Sequence, residues 1–107
     1  MKVSKFFIIS LTLCVLNTAV CAGETVVVGQ KDKKFSVDAL EIKVGDTVQF
    51  KNEDAFFHNV FSLSDAKTFD LGSYPQGESK SVTFDQAGIV EVECAIHPNM
   101  QMIITVK

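Results

Sequence analysis

The sequence has no tryptophan, two prolines and three cysteines in 107 residues. Two of the cysteines, Cys14 and Cys21, lie in an N-terminal segment that reads differently from the rest. There, Lys2 and Lys5 form a basic start, Phe6 to Leu16 is an apolar run of eleven residues broken only by Ser10 and Thr12, and small residues lead to Val20-Cys21-Ala22. That order of charge, apolar run and small residues is the pattern of a secretory signal peptide over residues 1–22, with cleavage expected after Ala22. A retained membrane anchor needs about 20 predominantly apolar residues, whereas this run is soon followed by Asn17 and Thr18. The expected mature chain, Gly23 to Lys107, keeps 85 of the 107 residues as one domain and holds Cys94 as its only cysteine.

One cysteine excludes a disulfide within the mature domain, although small exported domains commonly depend on them. A domain of this size buries only about two-thirds of its unfolded surface. A lone thiol in an oxidising compartment is also a hazard unless something occupies it. A bound metal meets both needs.

Excess positive charge is lacking too. Ten lysines and arginines face thirteen acids; residues 1–22 hold two of the lysines and no acid, which leaves eight against thirteen, or −5, in the mature domain. No basic patch is available to neutralise phosphates, so nucleic acid is excluded as a partner. The balance suits solubility or encounter with a basic protein.

Helical periodicity of useful length is absent, and alternation with period two replaces it. Leu40, Ile42 and Val44 alternate with Glu41 and Lys43, and Val48 and Phe50 alternate with Thr47, Gln49 and Lys51. Gly45-Asp46 between them is a turn pair. Ser81 to Phe84 and Val90 to Cys94 alternate likewise, Met102, Ile104 and Val106 share one face, and Thr25 to Val28 reads as an interior strand apolar on both faces. With shorter pieces near Phe35, His58 to Ser62 and Phe69 to Leu71, the expectation is an all-β, Greek-key antiparallel β-sandwich of seven or eight strands. Ser62 to Lys80, carrying Gly72, Pro75 and Gly77, is expected to be a loop-rich crossing between sheets with one short strand or helical turn.

The chemistry concentrates in few residues. The mature domain has two histidines, and Cys94, His97, Met100 and Met102 lie within nine positions of one another. Cys94 shares the inward parity of Val90 and Val92, at the strand's end. His97 follows where the chain must turn, and Pro98 stiffens that turn. Two imidazoles (His58 and His97), a thiolate and a thioether from Met100 or Met102 suit copper cycling between its two oxidation states. Zinc accepts the first three donors but gains nothing from a thioether.

These residues carry a resemblance to the cupredoxins, the type 1 blue-copper family, across nearly the whole mature chain. Gly45-Asp46-Thr47-Val48-Gln49-Phe50-Lys51-Asn52 resembles the strand before that family's first copper histidine. His58-Asn59-Val60 matches its His-Asn-Val, and Cys94-x-x-His97 matches its ligand loop. Plastocyanins place the axial methionine five residues after the histidine; amicyanins place it three after, with His-Pro. His97-Pro98-Asn99-Met100 is similar to the shorter loop, which implies a copper site of His58, Cys94, His97 and Met100, with Met102 already in the final strand. The resemblance also implies that Asn59 ties the two ligand loops together by hydrogen bonds. The Phe56-Phe57 pair and the missing tryptophan depart from the amicyanin pattern.

Taken singly, Cys94 reads as a buried thiol and the methionines as core filler; an accidental match of the only mature cysteine and both histidines to a ligand pattern is a poorer explanation. Phe56 and Phe57 read either as an exposed docking patch near the site or, the preferred reading in a Phe-rich sequence, with at least one of them in the core. Glu53, Asp54, Glu91 and Glu93 read as solvated strand faces. The expected function is single-electron transfer in the periplasm with redox partners such as a c-type cytochrome or a dehydrogenase. The protein would be a monomer, free of the membrane after signal removal. A copper carrier or delivery protein with the same ligands is the alternative. A cysteine-nucleophile enzyme is disfavoured by the inward position of Cys94 and the lack of an orienting residue, and a copper oxidase by the absence of further histidines. A metal-free interaction domain is the remaining reading.

Overall fold

The computed structural model describes residues 23–107, and the expected signal segment 1–22 lies outside the described residues. The described chain forms nine strands: β1 (Thr25–Lys31), β2 (Lys34–Phe35), β3 (Ala39–Ile42), β4 (Thr47–Asn52), β5 (His58–Ser64), β6 (Lys67–Tyr74), β7 (Ser79–Thr83), β8 (Gly88–Cys94) and β9 (Gln101–Val106). They build a four-stranded sheet in the order β2-β1-β4-β7 and a five-stranded sheet in the order β3-β9-β8-β5-β6. The all-β sandwich is as expected. The pairing is not wholly antiparallel, however. β1 runs parallel to β4, and β3 runs parallel to β9. The reason lies in the connections: after the β1–β2 hairpin the chain crosses to the other sheet as β3 and returns as β4, which restores the direction of β1. Alternation has the same period in either kind of ladder and cannot reveal this.

Period-two patterning places Val48, Phe50, Val60, Val90, Val92 and Ile104 on the facing sides of the sheets, all fully buried. Each such side chain contributes roughly 1.5–3 kcal/mol on burial. Phe50 joins the aromatic centre, 6.3 Å from Phe35 and 6.1 Å from Phe69, and Phe69 meets Phe84 edge-on at 6.2 Å. Two outward residues depart from expectation. Val27 is 56% exposed, so β1 is interior to its sheet but covered on one side only, and Val44 lies beyond the end of β3 in the turn, 49% exposed. In that turn Gly45 has φ 99°, a conformation suited to glycine.

Ser62 to Lys80 also differs from expectation. It contains β6, at eight residues the longest strand among the described residues. Only the link from Tyr74 to Ser79 crosses between sheets. Leu71 and Gly72 stand against Val60 alone in the β5–β6 register, a bulge in which Gly72 takes φ 72°.

Candidate metal centre

The site forms at one end of the sandwich, where β5 begins and β8 ends. Val60 pairs with Cys94 across β5 and β8, so the inward parity of His58, Val60 and Cys94 brings the first histidine beside the sulfur. Cys94 is 1% exposed and His58 fully buried. His58 Nδ1 lies 3.7 Å from Cys94 Sγ, and His97 Nδ1 lies 3.8 Å from the same sulfur. All three donor atoms fall within 4.8 Å of one another. Nitrogen at about 2.0–2.1 Å and sulfur at about 2.3 Å from one first-row ion stand roughly 3.6–3.8 Å apart for angles between tetrahedral and trigonal. The two N···S separations fit a shared ion.

The loop from Cys94 to Met100 closes on itself. The Met100 amide donates to the His97 carbonyl at 2.8 Å, and the Cys94 amide donates to the Met100 carbonyl at 3.2 Å. Met100 is 1% exposed, and Met102 sits in β9 opposite Val92, inside the core. Asn59 does tie the two loops together, but through its backbone. Its amide donates to Cys94 Sγ at 3.4 Å and its carbonyl accepts the Ala95 amide at 3.0 Å, while its buried side-chain Oδ1 has no partner among the described residues.

One functional residue escaped the sequence reading. Asp54 is no solvated strand residue: it lies between β4 and β5, 7% exposed, with Oδ2 2.7 Å from His58 Nε2. Burial pulls its carboxyl upward, but the hydrogen bonds from His58 and from the Asp32 and Lys33 amides outweigh burial and hold it below the usual value. The ionised carboxylate can only accept, so Nε2 carries a proton and Nδ1 is the nitrogen that faces the sulfur. An acid four residues before a histidine has no geometric meaning outside a helix, so spacing alone gave no signal.

His97 is half-buried. Partial burial lowers its pKa, with repulsion from His58 and Lys33 acting in the same direction against the pull of Asp54. Phe56 touches both imidazoles, with ring centroids 5.3 Å from His58 and 5.2 Å from His97. Phe56 is 39% and Phe57 53% exposed, so neither joins the core, and Ile96, the residue before His97, is 47% exposed. Glu91 is exposed, as expected. Tyr74, opposite His58 on β6, is fully buried and donates to Gln30 Oε1 at 2.7 Å; burial pushes its phenol up.

Asp54, His58 and Cys94 follow the order of an acid–base–nucleophile relay, which supplies the orienting residue that the sequence seemed to lack. The sulfur is nonetheless 1% exposed and faces both imidazoles, an arrangement that serves metal binding and leaves a substrate no approach.

A family model described as copper binding proteins, plastocyanin/azurin family, matches residues 22–107. Amicyanin from Paracoccus denitrificans is 30% identical over 89 residues, covering 80% of this chain and 68% of that protein. Among solved structures, the Cu(I) form of a methionine-to-alanine variant of amicyanin superposes with a TM-score of 0.72 at 28% identity, covering 78% of this chain and 82% of that one. A copper-containing nitrite reductase from Thermus scotoductus SA-01 gives a TM-score of 0.72 at 32% identity over 77% of this chain. This chain spans only 22% of that enzyme, a share that does not carry its activity across.

Proposed function

We propose that this chain, which belongs to the plastocyanin/azurin family of copper-binding proteins, is an exported carrier of single electrons. His58 Nδ1, Cys94 Sγ and His97 Nδ1 would hold one copper ion, and the Met100 thioether would be its weak fourth donor. The observation that carries this reading is the sulfur of Cys94 facing two Nδ1 atoms at 3.7 and 3.8 Å. The buried position of Met100 at the end of the ligand loop, with Met102 committed to the core, supports the choice of thioether. Likeness to amicyanin, which shares most of this chain's length, supports the short loop.

Copper supplies a one-electron couple when bound, and the chain's own residues do the rest. Asp54 holds the His58 ring with Nδ1 free to ligate. The two backbone hydrogen bonds and Pro98 keep the loop closed around its donors, so little of the protein has to move when an electron passes. His97 is the ligand that reaches the surface, and Phe56, Phe57 and Ile96 give a partner an apolar face to exclude water against. The His97 ring would be the path between a bound ion and a partner docked there. Redox partners of the c-type cytochrome or periplasmic dehydrogenase class suit such a face, and a monomer suffices for it. The signal-like segment 1–22 supports export to the periplasm, with residues 23–107 as the single working domain. The closed loop counts against a delivery role, which requires the metal to leave.

Stopped-flow mixing of the reduced, copper-loaded protein with an oxidised c-type cytochrome tests the choice between carrier and donor of metal. Cytochrome reduction should run far ahead of copper capture by a Cu(I) chelator. Capture within the mixing time with no cytochrome reduction would favour delivery instead.

A further inference from the structure

The β1–β2 hairpin turns on Asp32 and Lys33, neither of them glycine, at φ 56° and 59°. Two successive left-handed residues are the mark of the tight hairpin turn normally built from Asn and Gly; each costs roughly 1–2 kcal/mol for an ordinary side chain. In this conformation the two backbone amides point the same way, and both meet one carboxylate. Asp32 N donates to Asp54 Oδ1 at 2.7 Å and Lys33 N donates to Asp54 Oδ2 at 3.2 Å. The same Oδ2 accepts His58 Nε2 at 2.7 Å. Asp54 is held from behind as well, because its amide donates to Asn52 Oδ1 at 2.8 Å and Asn52 Nδ2 donates to the Phe56 and Tyr74 carbonyls. A second contact joins the turn to the site: the Lys33 ammonium lies 5.8 Å from the Phe56 ring centroid, and that ring touches both imidazoles.

We propose that the Asp32–Lys33 turn is a positioning element of the metal centre, setting the His58 ring through Asp54 and bracing both imidazoles through Phe56. This rests on the copper reading above. A carboxylate with one fixed partner can swing; one clamped by two amides on a turn cannot, so the turn decides where Nδ1 points. Asp54 and the turn residues are positioning residues and touch no reacting atom. Outer hydrogen bonds of this kind typically change metal affinity about 10–100-fold. Coupling of this sort is reciprocal, so the ion must in turn tighten the turn.

The test uses nuclear magnetic resonance of the protein without metal and with one equivalent of Cu(I). In the metal-free protein the His58 Nε2 proton should be visible and protected from solvent exchange, and Asp54→Ala should abolish that protection. On Cu(I) binding, exchange of the Asp32 and Lys33 amides should slow about tenfold or more, and not in Asp54→Ala. Lys33→Pro removes one amide and cannot adopt a positive φ; it should speed copper dissociation about tenfold or more, whereas Lys33→Gly, which keeps amide and turn and loses only the ammonium over Phe56, should speed it far less. A His58 ring proton exchanging equally in wild type and Asp54→Ala would overturn the link from Asp54 to the histidine. Amide exchange at the turn indifferent to Cu(I) would overturn the coupling, even if Lys33→Pro fails to fold. Absence of Cu(I) binding would sink the copper reading, while the ring proton would still decide the Asp54 link.

Discussion

The backbone amide of Asn59 points at the sulfur of Cys94, 3.4 Å away. A hydrogen bond there withdraws electron density from the thiolate and is one of the levers by which a protein tunes its metal. The Asn59 side chain takes no such part, and its buried Oδ1 has no partner among the described residues. An unpaired buried acceptor costs about 1–3 kcal/mol. Asn59→Ala is therefore expected to keep the visible spectrum of the copper-loaded protein and to change unfolding free energy in urea by less than about 1 kcal/mol, since the lost packing is offset by removal of that acceptor. Loss of colour would show that the side chain carries the tie.

Cys94→Ser and Met100→Leu separate the roles of the two sulfurs. A hydroxyl cannot replace the thiolate, so Cys94→Ser should lose intense visible absorption altogether. Met100→Leu should keep the colour and raise the reduction potential, because the axial donor tunes it. Met102→Leu, a core exchange of similar volume, should leave the potential alone and cost less than about 1.5 kcal/mol. Voltammetry of the two leucine variants decides between the methionines; a shift only in Met102→Leu would reverse the assignment.

Phe50 is fully buried between Phe35 and Phe69 at the centre of the sandwich. Phe50→Ala should destabilise the fold by about 3–5 kcal/mol, as measured by denaturant unfolding of the metal-free protein. A loss below about 1 kcal/mol would mean that the packing between the sheets is looser than these ring contacts indicate.

Asp46 locks the turn before β4: its two carboxylate oxygens accept the Lys43 and Glu24 amides, each at 2.9 Å. Those hydrogen bonds, Lys43 first, hold its pKa below the ordinary carboxylate value. A group whose pKa is lower folded than unfolded adds stability above the unfolded value, about 3.9 for Asp, and the contribution fades as pH falls through the folded value. Metal-free protein should therefore lose stability steeply below about pH 4, and Asp46→Asn should flatten that acid limb while lowering stability at neutral pH. Parallel acid limbs in the two proteins would remove Asp46 from the explanation.

Period-two alternation made most strands readable, because a half-buried strand writes its burial directly into every second residue. It also put Cys94 inward at the end of its strand and Met102 within β9, which the structure repeats. The parallel pairs were not readable, since the direction of a partner strand leaves no mark on alternation. Val27 misled because β-branched residues suit a strand on its open face as well as its covered one. Gly72 and its neighbours looked like a loop because a bulge borrows the residues of a turn. At least one of Phe56 and Phe57 looked like core because hydrophobicity alone does not say that a ring lies against the imidazoles of His58 and His97. Asp54 is the largest omission: its role arises from the meeting of β4, β5 and the β1–β2 turn, and the turn residues stand more than 20 positions away in the chain.

The visible absorption spectrum on adding one equivalent of Cu(II) to the metal-free protein tests the electron-carrier reading most directly. An intense blue band that bleaches with a mild reductant and returns on reoxidation is expected, because a Cys94 thiolate flanked by His58 and His97 gives both the charge transfer and the reversible couple. A colourless protein, or one that binds only zinc, would contradict it.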